Sequence, residues 1–130
     1  MTDQDNRLGL TVTHRRYVSY ADAHYGGNLA AGAYVLGLFG DVATEVCIRT
    51  DGDEGLLASY QEIQFKQPVR AGDVVEVTAT VTRVGNRSRD LELTAAIVCR
   101  AEPEKSESAA SVLAEKIVAT TARATVVIPK

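Results

Sequence analysis

The chain has 130 residues, 45% of them apolar, and a formal charge of −3, which is the length of one domain with enough apolar content for a core. The acidic balance, with a pI near 5.4, excludes a nucleic-acid surface as the main function, because phosphate binding needs a clustered basic excess. No run approaches the roughly twenty apolar residues that cross a bilayer, and no charged start with an apolar core opens the chain, so a soluble, cytoplasmic protein with no membrane partner is expected.

Residues 1–7 are polar and expected to be disordered, and residues 8–130 are expected to form the single domain. Over residues 8–20, Leu8, Leu10, Val12, His14, Arg16, Val18 and Tyr20 alternate with Thr11, Thr13 and Tyr17, the period of a strand. Next, Asp22-Ala23-His24-Tyr25-Gly26-Gly27-Asn28 runs into about twenty residues without proline, the form of a loop feeding one long helix. The glycine pair allows close backbone approach to a ligand and leaves unpaired N–H groups at the helix start, donors suited to an oxyanion. A plain tight turn is the alternative.

On a helical wheel Leu29, Leu36, Phe39, Val42, Ala43, Val46 and Cys47 cover one side, with Ala33 and Gly40 inside it, and that side should pack on a sheet. Tyr34, Gly37, Leu38, Asp41 and Glu45 lie opposite. The two acids sit at i and i+4, so their carboxylates project as neighbours, and the flanking Tyr34 and Leu38 suggest a half-buried stripe rather than a solvated one.

Asp51-Gly52-Asp53-Glu54-Gly55 is a turn. A strand follows over about 57–66 and stops at Gln67-Pro68, where proline removes a ladder donor, and Ala71-Gly72-Asp73 turns again. Residues 74–84 alternate most clearly, with Val75, Val77, Ala79 and Val81 against Glu76, Thr78, Thr80 and Thr82. Gly85-Asn86-Arg87-Ser88 reverses the chain, and Leu91, Leu93, Ala95, Ile97 and Cys99 give the hairpin partner. Residues 101–111 read as a solvent-facing loop and about 115–127 as the last strand. The fold class is therefore α+β, a five-stranded antiparallel sheet wrapped around one long helix. Uncovered edges in such a sheet favour pairing with a second copy, so at least a homodimer is expected. Cys47 and Cys99 form no C-x-x-C or Cys/His cluster; free thiols and no metal are expected.

The segments Phe65-Lys66-Gln67-Pro68-Val69-Arg70-Ala71-Gly72-Asp73 and Val84-Gly85-Asn86-Arg87-Ser88, with Asp22, the Gly-Gly entry and Asp41, resemble the hotdog fold of acyl-CoA thioesterases, dehydratases and lyases. More narrowly, D-A-H-Y-G-G-N-L, L-G-L-F-G-D-V-A-T, D-G-D-E-G-L and V-G-N-R-S-R resemble the small ammonia-lyases that act on 3-aminoacyl-CoA thioesters, the 3-aminobutyryl-CoA and β-alanyl-CoA enzymes of amino-acid degradation. The resemblance implies reversible loss of ammonia to give the enoyl-CoA, with coenzyme A as part of the substrate and no other cofactor. The spacing Asp22-x-His24 departs from the D-x(4)-H spacing of hotdog hydratases, which argues against hydration.

Removing a proton beside a thioester carbonyl needs a base and a site for the enolate oxygen. The Gly26, Gly27 and Asn28 amides are the expected oxyanion donors. Asp41 is the expected base, because it matches the helix acid of hotdog thioesterases and because partial burial would strengthen it. Glu45, Asp22 or a tyrosine such as Tyr34 would bind the β-ammonium; His24 would shuttle a proton and Tyr25 would line the acyl pocket. Lys66, Arg87 and Arg89 are expected to meet the phosphates of coenzyme A. Two other readings stand beside this one, an acyl-CoA thioesterase and a non-catalytic acyl-CoA-binding protein.

Overall fold

The computed structural model describes residues 5–130; residues 1–4 of the expected disordered segment lie outside the described residues. Asp5 to Arg7 are part of a turn, and the Arg7 guanidinium donates to Asp5 and, at 3.3 Å, to Asp51.

Strand β1 spans Thr11–Tyr17, shorter at both ends than its alternation suggested. Leu8 and Leu10 are held in a turn by Leu8 N–H to Asp5 O and Leu10 N–H to Arg7 O, and Val18 leaves the strand to pair with Gly72 and Asp73. After a single helical turn, β2 (Ala23–Tyr25) and β3 (Leu29–Ala30) form a small ribbon around Gly26–Asn28. Helix α1 runs Gly32–Asp51 and ends on Gly52, whose φ of 65° lets its N–H close on Ile48 O. Then come β4 (Leu56–Phe65), β5 (Val74–Val84), β6 (Ser88–Ala101) and β7 (Ala110–Val127). The last begins before the expected residue 115, because Ser111 and Ala110 pair with Arg100 and Ala101 and shorten the loop.

The sheet order is β1-β5-β6-β7-β4 with antiparallel neighbours, so β1 and β4 are its edges. Its concave face presents Val75, Val77, Ala79 and Val81, Leu91, Leu93, Ala95 and Ile97, and Ala122, Ala124 and Val126 to the helix. The alanines let α1 approach the sheet closely while the valines and leucines fill between its side chains. From α1 the core takes Val35, Leu38, Phe39, Val42, Ala43, Val46 and Cys47. Leu38, placed on the outer side by the wheel, is buried because the sheet curls around the helix; Leu29 never joins the helix.

Cys47 is fully buried and packs against Gly55, where an added Cβ would lie 2.7 Å from the sulfur; burial pushes its thiol up to about 11. Among the described residues no helix is long and apolar enough to cross a membrane, and no group of three His, Cys, Asp or Glu side chains is placed to hold a metal ion.

Candidate active site

The helix begins four residues after Asn28, which corrects the expected role of Gly26–Asn28. Those residues make one 3-10 turn, with Gly27 at φ 74° and Asn28 at φ 59°. The chain after them is locked in extended form: Ala30 N–H donates to Val69 O and Ala71 N–H to Asn28 O, with Leu29 bridged to Arg70. Residues in that ribbon cannot also take helical dihedrals. The positive end of the helix dipole therefore acts at Ala31, Gly32 and Ala33, and Ala31 supplies no side-chain cap.

A cleft of about 380 Å³ opens at this helix start. Ala30, Ala31, Gly32 and Val35 form one side, Phe65, Lys66, Gln67, Pro68 and Val69 the other, and Thr120 the floor. Lys66 is thus placed beside the helix start. The β4–β5 loop is pinned by Lys66 and Gln67 N–H groups donating to Ala119 O. Thr120 is buried. On the other side of the ribbon a groove of about 370 Å³ is lined by Tyr20, Gly27, Asn28, Leu29, Arg70 and Arg100. The Gly27–Asn28 backbone faces this groove.

Asp41 lies nine residues beyond Gly32, about 14 Å along the axis. It is exposed, contrary to the half-buried stripe expected of it, and has no ion-pair partner among the described residues. Its charge acts on Tyr60 of β4: burial first and the Asp41 carboxylate second push that phenol up, while its hydroxyl donates to Leu36 O at 2.6 Å. Glu45 is not available as a cation site. Its oxygens are taken by His14 Nε2 at 2.7 Å and Arg49 Nε at 2.7 Å, and those bonds, Arg49 first, hold its carboxyl below the ordinary value.

Asp22 is half-buried and accepts from Ser19 at 3.0 Å. His24 and Tyr25 are exposed on β2, ring against ring edge-on at 4.6 Å. Tyr34 is half-buried with its hydroxyl enclosed and unpaired.

Arg89 is corrected from phosphate partner to internal strut. It is 2% exposed, its Nη2 donates to Asp51 at 2.8 Å and its Nη1 to the Gly85 and Ser88 carbonyls. This ties the β5–β6 turn to the far end of a 20-residue helix, so exposed Arg87 stands about 30 Å from the helix start and Lys66. One chain therefore brings together the helix start and Lys66 in one cleft, with Gly27 and Asn28 on the neighbouring groove; Asp22, His24 and Tyr25 line neither. It does not bring Asp41, Arg87 or Arg89 to them. Phe65, Thr120 and Tyr60 were not singled out by sequence as site residues; only Phe65 carried a signal, as the first residue of the segment ending in Gly72-Asp73.

Residues 26–105 match the family described as Thioesterase superfamily. The chain is 47% identical over 113 residues, 87% of its length and 90% of the relative's, to 3-aminobutyryl-CoA ammonia lyase of Acetoanaerobium sticklandii. In structure it is similar to β-alanyl-CoA:ammonia lyase from Clostridium propionicum, with a TM-score of 0.89 and 33% identity, covering 95% of this chain and 87% of that one. It also superposes on a hexameric hotdog-fold thioesterase of Campylobacter jejuni at a TM-score of 0.74 and 20% identity, over 90% of this chain and 81% of that one.

Proposed function

The chain belongs to the thioesterase superfamily, and from that premise we propose that it is an ammonia-lyase, reversibly eliminating ammonia from a 3-aminoacyl-CoA such as 3-aminobutyryl-CoA or β-alanyl-CoA to leave the enoyl-CoA. The observation that carries this reading is the 47% identity to an ammonia-lyase across nearly the whole of both chains.

In the reaction a base takes the proton next to the thioester carbonyl, and the electrons of that C–H bond form the C=C bond. The C–N bond breaks, and the β-ammonium nitrogen departs with its electron pair as neutral ammonia. The thioester oxygen carries negative charge meanwhile. The unpaired first amides of α1, with Lys66 beside them, are the donors suited to it. They replace the Gly26–Asn28 amides in that role, and the Asp22–Asn28 loop and its groove are left to hold the rest of the substrate.

Asp41 remains the proposed base, and 14 Å of helix separates it from its own chain's helix start. A second copy resolves this. The exposed crest of α1 carries Ala33, Gly37 and Asp41, small enough around the acid for close approach, and β4 is an uncovered edge. A homodimer, or a larger assembly built on it, would cover both and place the acid and Arg87 of one copy near the cleft of another. The coenzyme A is substrate, and the protein works in the cytoplasm.

Purified protein incubated with 3-aminobutyryl-CoA and β-alanyl-CoA, with ammonia and free thiol followed together, tests the reading. Ammonia without free thiol is expected. Free thiol instead would make the protein a thioesterase, and saturable binding with neither product would make it a binding protein.

A further inference from the structure

Apart from Lys66 and Gln67, whose chains end in polar groups, the cleft at the helix start is lined by small side chains and one large one. Phe65, the last residue of β4, lays its ring against Gly32, the first residue of α1: a Cβ on Gly32 would meet two ring carbons at 2.8 Å. The facing wall, Ala30, Ala31 and Val35, is carried on backbone fixed by the helix and by the bond from Ala30 N–H to Val69 O. Phe65 is 56% exposed, so its own chain does not cover it fully. A fixed wall of small residues opposite one large aromatic is a pocket whose depth is set by the aromatic.

We propose that Phe65, seated on Gly32, sets the length of acyl chain the enzyme accepts, closing the cleft behind a three- or four-carbon acyl group. This rests on the cleft being the acyl site of the proposed lyase. Gly32 has its own part, since any side chain there unseats the ring. One methylene more or less in an apolar pocket changes discrimination by roughly 10- to 200-fold, so removal of the ring should be felt across two added methylenes.

The probes are S-butyl-CoA and S-hexyl-CoA, thioethers that neither hydrolyse nor eliminate, with dissociation constants measured by titration calorimetry. Phe65→Ala is expected to shift the hexyl-to-butyl affinity ratio toward hexyl by about tenfold or more, and Phe65→Leu by less in the same direction, which serves if the alanine variant folds poorly. Gly32→Ala should change the ratio in the wild-type background and have no further effect in Phe65→Ala. An unshifted ratio in a folded variant, or no binding of either thioether, overturns the proposal. Ammonia release from 3-aminobutyryl-CoA by the wild type is recorded separately: its absence would remove the lyase reading, while the affinity ratio would still decide the role of Phe65.

Discussion

Asp41 and Glu45 stand one helical turn apart, yet only one is free to do chemistry. Glu45 is gripped by His14 from β1 and Arg49 from its own helix, whereas Asp41 has no such partner among the described residues. Asp41→Asn should therefore abolish ammonia release while leaving the circular dichroism spectrum and the affinity for S-butyl-CoA unchanged; retention of most activity would move the base elsewhere. At the other end of the helix, Asp51 shows a different use of an acid. Burial alone would raise its carboxyl, but hydrogen bonds from Thr50 and Arg89 and the charges of Arg89 and Arg7 outweigh it and hold the folded value low. A lowered folded pKa means that the stabilisation is whole above the unfolded value of about 3.9 and is lost as pH falls through the folded one. Urea melts between pH 6 and 3 should show wild type losing more stability toward acid than Asp51→Asn. The i, i+4 spacing of the acids was legible in the sequence. Their partners were not, because His14 lies 31 positions from Glu45, and Arg89 38 from Asp51.

Among the elements, β5 and β6 follow from alternation alone, since each buries one face against the helix and nothing competes. The helix start does not. Residues 26–31 have a composition that allows helix, but Gly27 and Asn28 turn the chain at positive φ, and pairing of Asn28 and Ala30 with Ala71 and Val69 holds Leu29 and Ala30 extended; such tertiary pairing overrides local preference. Because the helix starts four residues after Asn28, the positive end of its dipole lies at the Phe65–Val69 cleft rather than at the glycine pair. The Arg89 strut belongs to this scale too, because it joins α1 to the β5–β6 turn. Arg89→Ala leaves Asp51 without its buried partner and should cost roughly 3 kcal/mol in chemical denaturation. The Michaelis constant for 3-aminobutyryl-CoA should not change at temperatures where the variant is folded. A raised constant at full stability would return Arg89 to the substrate.

In the whole molecule the sheet covers one side of its helix and leaves the other side and strand β4 open, with Leu56, Leu57 and Phe65 exposed along that edge. The wrapped architecture was readable from one helix set against five strands. The bulge at Glu62, held at φ 53°, that interrupts the β4 ladder was not, because nothing in the local alternation marks it. Leu57→Lys places a charge on the edge and should convert the assembly to monomers by light scattering, with ammonia release falling at least tenfold and secondary structure intact. A fully active monomer would show that one chain suffices.

Cys47 gives the molecule a thiol sealed between helix and sheet, beside Gly55 just before β4, and burial pushes its pKa up to about 11. In a Cys99→Ser background it would be the sole sulfur able to take up a thiol dye, and labelling could proceed only when the α1–β4 corner parts. The rate of colour development would then be a clock for that opening, and any slowing when acyl-CoA is added would measure how far substrate at one end of the rod quiets the other.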